Sequence, residues 1–283
     1  MAQIDPDQLD CFLLEDAVWI AAAQVGLPHY DFAFERFFAC RRPLYRPQPV
    51  TAVGRFGVTA DYAELHRRLA EGGVALVHTP EQYLLASELP RWYPLLSDLT
   101  PRSVWFEGPP PAEEIERHFA WPVFLKGSRQ TSRHRAALSI LRSPGDYARA
   151  AEEYRRSPLL SAQALVCREF VPLRPVPAPP SETIPPAFEF RTFWWRGRCV
   201  GAGPYWAAVA AYSWTRAEER AALAVAQEAA RRLEVPFLAV DVAQTRRGDW
   251  IVIEVNDGQE SGYGGIAPLA LWQAVVAIER GAG

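Results

Sequence analysis

Lysine is almost missing from this chain: Lys and Arg together number 30, and every one is arginine except Lys126. A lone lysine suggests a place where a compact point charge is wanted and the planar guanidinium fork will not serve, so Lys126 is the first candidate for chemistry; the plainer reading is a lysine that survives by chance. Cysteine is nearly as scarce. Cys11, Cys40, Cys167 and Cys199 are widely separated, with no Cys-x-x-Cys pair and no histidine cluster nearby. That spacing argues against structural zinc and predicts reduced, mostly buried thiols. A formal net charge of −3 gives no basic field for nonspecific nucleic-acid binding, so any polyanion contact must be local. No window approaches the roughly 18 apolar residues of a membrane helix, and the Ala-rich stretch Ala17 to Gly26 ends at Gly-Leu-Pro. Met1 to Asp10 carry acids and a proline instead of the basic start and apolar core of a secretory leader. The expectation is a cytoplasmic protein.

What is present suits a globular protein of one large or two moderate domains: 283 residues, 49% hydrophobic and 22% charged. Residues 11 to 24 read as a helix, and Val50 to Val58 as a loosely alternating strand. Asp61 to Ala70 has an N-cap aspartate ahead of helically spaced apolar residues, Gly72-Gly73 stops it, and Val74 to His78 is a short buried strand. The rhythm is that of a βαβ unit. Glu107 to Pro111 is the clearest linker, because consecutive prolines prevent both helix and central strand. Beyond it come a helix over Ala112 to Phe119, a strand Trp121 to Lys126, a polar loop Gly127 to His134, and a return strand Ala136 to Leu141. Ser143-Pro144-Gly145-Asp146 starts a helix that runs to about Arg156, with Pro and acid at its positive end, and Leu165 to Val171 is the next strand. The stretch Pro172 to Pro186 is so rich in proline that it should be an exposed, extended loop. Strands Glu189 to Trp195 and Arg198 to Gly203 are joined at Arg196-Gly197. A long helix, Ala217 to Leu233, a hairpin pairing Leu238 to Gln244 with Trp250 to Val255, and a helix Ala267 to Arg280 complete the chain.

Two constellations carry chemistry. In the last hairpin, Asp241 and the Glu254-x-Asn256 pair interrupt otherwise apolar strands, and alternation puts Glu254 and Asn256 on one face. With Asp241 in register, three oxygen donors gather in the manner Mg²⁺ prefers; the plainer reading is a solvated edge hairpin. The second is the apolar run Val123 to Leu125 that ends on Lys126 and enters a loop of Ser, Thr and Arg able to offer hydroxyls and cations to phosphates. It is not a Walker loop, whose Gly-x-x-x-x-Gly-Lys-Ser/Thr pattern is absent. Gly258 to Gly262 lacks the spacing of a nucleophile elbow. The Trp-rich segments at 194–195 and 205–206 read as core, with stacking on a substrate as the alternative. His78 reads as a satisfied strand-end histidine.

The order of these elements resembles the ATP-grasp superfamily: a strand ending in Lys126, then Arg168-Glu169-Phe170-Val171, then Glu189-Phe190-Arg191, Asp241 and Glu254-x-Asn256, over about residues 100 to 265. It looks most like the divergent clade that includes the eukaryotic cell-division-cycle factor for translation-initiation complex assembly and its bacterial and phage relatives. The resemblance implies an α/β (α+β) ATP-grasp fold in which two α+β lobes, about 111–171 and 187–283, sandwich ATP. Residues 1–110 would form a pre-ATP-grasp α/β domain, a role that the runs Gly73 to Pro80 and Leu99 to Arg102 also suggest. It implies that Lys126 contacts phosphate, that Glu169, Phe170 and Val171 form the hinge beside adenine and ribose, and that Arg191 faces the γ-phosphate. Asp241, Glu254 and Asn256 would hold magnesium. Arg133 would be a second basic position of the phosphate loop, with Arg129 and Arg135 as competitors. Arg168 is either a further nucleotide-side arginine or a structural strand-end residue.

The activity implied is ATP-dependent ligation of a carboxylate to an amine, on a peptide, protein or small-molecule acceptor. Two alternatives stand beside it: an ATP-bound assembly factor with little turnover, and a kinase that stops at phosphoryl transfer.

Overall fold

The computed structural model describes residues 4–23, 32–42, 49–57, 59, 61–129 and 135–281. Asp10–Leu14 (β1) and Val18–Ala22 (β2) form an antiparallel hairpin, where the sequence suggests a helix. Glu15 and Asp16 both take left-handed φ, 50° and 54°, and the Ala17 N–H donates to the Leu14 carbonyl at 2.9 Å. This is the primed turn whose twist matches paired strands. Alternation then sends Phe12, Leu14, Val18 and Ile20 into one core. The alanines favour helix, but sheet burial of the flanking Val, Ile and aromatic side chains outweighs that weak preference.

Cys40–Arg41 (β3) pairs with the outer edge of β1, while β2 runs parallel to Val50–Arg55 (β4) and β4 parallel to Val74–Leu76 (β5). The order is β3-β1-β2-β4-β5. The crossover between β4 and β5 is Tyr62–Glu71 (α1), whose Asp61 side chain caps the Glu64 N–H at 3.0 Å as expected. A Thr79–Gln82 capping box then starts Pro80–Ser87 (α2), followed by Leu89–Leu96 (α3).

The next lobe contains Ser103–Phe106 (β6), Ala112–Glu116 (α4), Val123–Gly127 (β7), Ala136–Ser139 (α5), Ile140–Leu141 (β8), Pro144–Arg156 (α6), Pro158–Ser161 (α7) and Leu165–Glu169 (β9). Its antiparallel sheet has the order β6-β9-β7-β8. The return strand is shorter than the sequence suggests: Ala136–Ser139 is a helical turn, as its Ala-Ala-Leu composition favours, and only Ile140 and Leu141 pair with β7. Strand β6 precedes the proline linker yet pairs with β9, so this sheet extends across the linker.

The last lobe is built from Glu189–Trp195 (β10), Arg198–Pro204 (β11), Arg216–Leu233 (α8), Phe237–Gln244 (β12), Trp250–Asp257 (β13) and Pro268–Glu279 (α9), with sheet order β11-β10-β12-β13. Both hairpins read from the sequence form. One sheet face buries Phe190, Trp194, Val240 and Val242 against the alanine stripe Ala222, Ala226, Ala229 and Ala230 of α8. Small side chains let the helix approach the sheet closely, and the apolar area removed from water is the main stabilising term. The opposite face carries Phe193, Trp195, Phe237 and Ala239, packed on Trp272 and Val275 of α9 and on the β1–β2 hairpin. That core covers only part of the face.

Segment 172–187 is largely exposed, as its prolines suggest, but it is tied down. Arg174 N–H donates to the Gln244 carbonyl at 2.8 Å, and Ala136 N–H to the Glu182 carbonyl at 2.9 Å. It therefore straps the last lobe to the preceding one. Of the four thiols only Cys167 is buried, Cys199 is exposed, against expectation, and none of the four is joined in a disulfide. Among the described residues, no helix is long and apolar enough to cross a membrane.

Candidate active site

One charged row crosses three strands. Arg191 of β10 stands opposite Asp241 of β12, which stands opposite Glu254 of β13. Opposed residues on one face lie about 5 Å apart at Cβ, close enough for charged side chains to meet. The Arg191 guanidinium grips Asp241 bidentately, Nε to Oδ1 at 2.8 Å and Nη2 to Oδ2 at 2.7 Å, and its Nη1 donates to the Gly262 carbonyl at 2.9 Å. The Tyr205 ring lies 4.9 Å from the same guanidinium. Asn256 pairs with Ala239, one step along the face from Glu254.

A β-bulge sets this face. Asp241 pairs with Glu254 but Val242 with Val252, leaving Ile253 as the extra residue. Val252 and Val255 both enter the core under α8, so Ile251, Glu254 and Asn256 share the other side, which strict alternation would not allow for Ile251.

Lys126 comes from the facing lobe. Val123 and Leu125 fill that lobe's core, so alternation turns Phe124 and Lys126 outward, and the Lys126 ammonium hydrogen-bonds the Glu254 carboxylate across the cleft. Lys126 is only 4% exposed. Burial pushes the Glu254 carboxyl up, but the pull of Lys126, with Arg191 and Arg168, more than reverses this and holds it below its usual range. For Asp241 burial dominates and raises the carboxyl despite Arg191. Burial works against the charge on Arg191 too, but the Asp241 carboxylate outweighs it and tightens the hold on the guanidinium proton. Two cations and two carboxylates thus pair with one another in a largely buried site.

Beside the row is a cleft of about 450 Å³, lined by Phe124, Val171, Ile184, Ile251 and Ile253, with Glu169, Phe170 and Arg168 on its wall. This is the size and character of a small-molecule pocket. Glu169, Phe170 and Val171 lie along this cleft, and the 172–187 strap forms part of the lining. Arg168 spends its donors on protein: Nε on Ser103 Oγ at 3.1 Å, Nη1 on the Ile253 carbonyl at 2.8 Å and Nη2 on Thr100 Oγ1 at 2.6 Å. Burial pushes it down to about 10, so it stays charged at neutral pH. Arg133 lies outside the described residues. Arg129 pairs with Glu88 at 2.7 Å, and Arg135 bridges the strap through its backbone.

The structure brings together Lys126, Arg191, Asp241 and Glu254, with Asn256 on the same face. It adds residues to which the sequence assigns no role of their own. Glu189, two residues before Arg191 on the same strand face, is buried and accepts a hydrogen bond from Trp206 Nε1 at 2.9 Å. Burial, reinforced by Asp241, pushes its carboxyl up to about 8. Its i, i+2 relation to Arg191 was the available signal. Ile251, Ile253 and Ile184 give no sign in the sequence, since isoleucine in a strand or loop reads as core.

The fold and the charged row define an ATP-grasp protein. The chain belongs to the family described as ATP-grasp domain, R(2)K clade family 3, whose model matches residues 113–275. Among solved structures it is similar to a RimK domain protein ATP-grasp from Sphaerobacter thermophilus, at 20% identity and a TM-score of 0.53, covering 81% of this chain and 80% of that one. It is also similar to an N5-carboxyaminoimidazole ribonucleotide synthetase from Thermotoga maritima, at 14% identity and a TM-score of 0.50, over 74% of this chain and 50% of that one. An ADP complex of purK, a synthetase of the same description, matches at 14% identity and a TM-score of 0.52, over 72% and 52% of the two chains. No curated protein sequence gives a significant match. The expected α+β architecture is therefore the one found.

Proposed function

We propose that the chain is a magnesium-dependent ATP-binding enzyme that joins a carboxylate to an amine through an acyl phosphate. The observation that carries this reading is the neutralised row Lys126–Glu254 and Asp241–Arg191, set between two lobes and beside an apolar cleft. Each cation has a carboxylate partner that could be exchanged for a phosphate oxygen, and each carboxylate a cation that could be exchanged for a metal ion. A metal–triphosphate complex supplies both replacements at once, so the site stays compensated throughout.

The donor set fits magnesium. Asp241, Glu254 and Asn256 offer hard oxygen atoms only, and among the described residues no three of His, Cys, Asp and Glu gather at metal-binding spacing. Such a partial set suits an ion that is completed by phosphate oxygens and water. When bound, the ion would neutralise charge on the transferred phosphoryl group. Lys126 and Arg191 would hold the phosphates in line, and the buried walls would exclude water that could otherwise hydrolyse an acyl phosphate. The purine would occupy the cleft between Phe124 and Ile251, with its edge at the Glu169 to Val171 hinge. The acceptor would be a peptide, protein or small molecule bearing the carboxylate.

Turnover assays test the reading. Full-length protein with Mg-ATP and mixtures of carboxylates and amines should release ADP and phosphate only when both partners are present. A stable phosphorylated acceptor without phosphate release would instead mark a kinase. Tight binding without any turnover would mark an assembly factor.

A further inference from the structure

A second polar cluster lies under the loop that follows β13, and the nucleotide reading does not use it. Asp257, Gln259, Glu260 and Ser261 are all buried there, and the N-terminal sheet meets them one by one. Asp257 Oδ1 lies 3.0 Å from His78 Nδ1. Gln259 Oε1 accepts from the Gly54 N–H at 2.8 Å, and its Nε2 donates to the Tyr62 hydroxyl at 3.1 Å. Glu260 accepts from the Thr59 N–H at 3.2 Å and from the Tyr83 hydroxyl at 3.1 Å. His78 is no proton shuttle: its Nε2 already accepts the Phe237 N–H at 3.0 Å, which leaves the proton on Nδ1, facing Asp257.

Arg55, at the end of β4, is the centre of this clamp. It is 2% exposed. Its Nη1 donates to the carbonyls of Gly258 at 2.7 Å and Gln259 at 2.8 Å, its Nη2 to that of Ser261 at 3.3 Å, and its guanidinium lies 4.9 Å from the Tyr263 ring. Among the described residues its hydrogen bonds go to carbonyl oxygens and none to a carboxylate, while Nε is buried without a partner. A buried cation held by carbonyl dipoles and one aromatic ring, without a hydrogen-bonded carboxylate, is costly, and an apolar side chain would avoid that cost. What the fork provides is geometry, because one rigid group gathers three carbonyls into a single turn. The turn is tight: a Cβ on Gly258 would lie 2.8 Å from the Phe237 carbonyl oxygen. The next carbonyl along, that of Gly262, is the one that receives Arg191 Nη1.

We propose that Arg55 is a positioning residue for Arg191: by drawing the 258, 259 and 261 carbonyls onto the N-terminal sheet, it fixes the Gly262 carbonyl and so the conformation in which Arg191 grips Asp241. Its expected effect on turnover rests on the nucleotide reading above; the coupling itself does not. The phosphate-side arginine thereby answers to the N-terminal domain.

The Arg191 Nε–H, bonded to Asp241, provides a reporter that needs no ATP. In full-length protein its exchange with solvent, followed by NMR, should speed up by about tenfold or more in Arg55→Met, and ADP release should fall by a similar factor. Combining Arg55→Met with Arg191→Gln should add little further loss of turnover. Should Arg55→Met not fold, Arg55→Lys, which keeps the charge but can reach fewer carbonyls, gives the same readout. Unchanged Arg191 exchange in whichever variant folds overturns the proposal, as do additive losses in the double variant. Coupled exchange in a protein that binds no Mg-ATP would uphold the positioning role and sink the nucleotide reading. Mg-ATP binding with uncoupled Arg191 would do the reverse.

Discussion

Lys126 and Glu254 lie 128 positions apart in the sequence and on different lobes, yet they share a hydrogen bond in which the lysine is buried and the carboxylate only partly exposed. The pair is the only side-chain ion pair among the described residues that joins the Lys126 lobe to β13.

Replacing Lys126 with Ala should weaken Mg-ATP binding by about tenfold or more, and Lys126→Arg should not restore it, because the fork cannot reproduce a close point-charge contact. Isothermal titration of both variants checks this; unchanged affinity in either counts against the site. The same substitution tests the electrostatics. Because Lys126 holds the Glu254 carboxyl below its unfolded value, the pair stabilises the fold above the ordinary carboxylate range and loses that contribution as pH falls through the lowered folded value. The stability deficit of Lys126→Ala should therefore be largest at neutral pH and shrink on acidification.

The double variant Glu254→Gln with Asn256→Ala should lose magnesium-dependent stabilisation by ATP. Removing the Glu254 charge also strands a buried ammonium, so without nucleotide the variant should be less stable by about 1–3 kcal/mol. Melting temperatures with and without Mg-ATP separate the two effects. A variant that keeps the full Mg-ATP shift would exclude these residues as the metal site.

Glu189 predicts a pH dependence of the opposite sign. Its carboxyl rises to about 8 in the folded protein, because of burial and then Asp241. Between its unfolded value of about 4.3 and that point, the folded state binds the extra proton, so stability falls as pH rises through the window. Glu189→Gln, a neutral isostere that still accepts from Trp206, should flatten this slope by a few kcal/mol across the window. Parallel denaturation curves for the two proteins at pH 5 and pH 8.5 would show that Glu189 does not titrate there.

Ile251→Asp would put a carboxylate on the floor of the apolar cleft. Because Ile251 is half-buried at the cleft surface, folding should suffer little, but affinity for ATP should drop by about tenfold or more through the cost of desolvating the new charge beside the base. Intact affinity would place the purine elsewhere.

Much of this was legible in the sequence wherever a local rule decides. The caps at Asp61 and Ser143, the turn at Arg196-Gly197 and the β12–β13 hairpin all follow from residues within a few positions of one another. The helix suggested over 11–24 failed because Glu15 and Asp16 adopt left-handed backbone, an outcome that tertiary pairing selects and propensity does not. Alternation alone puts Glu254 and Asn256 on one face, but the bulge at Ile253, which brings Ile251 round to join them, has no local signature. Arg55 was invisible for a different reason. Nothing near it in the chain explains a buried arginine, since the carbonyls it serves lie about 200 residues away.

That separation has a consequence for synthesis. A ribosome delivers Arg55 and Lys126 long before residues 254 to 262, so for much of translation both cations belong to domains whose surfaces still lack their partners. Contacts of such long range form late and slow folding. The nascent N-terminal portion must therefore keep these side chains solvated, with the end of β4 at Gly54 and Arg55 open, until the last hairpin emerges and closes over them. The charged row is in this sense the final seam of the molecule, and destabilising β12 or β13 should expose the N-terminal sheet to proteases as readily as it disables the site.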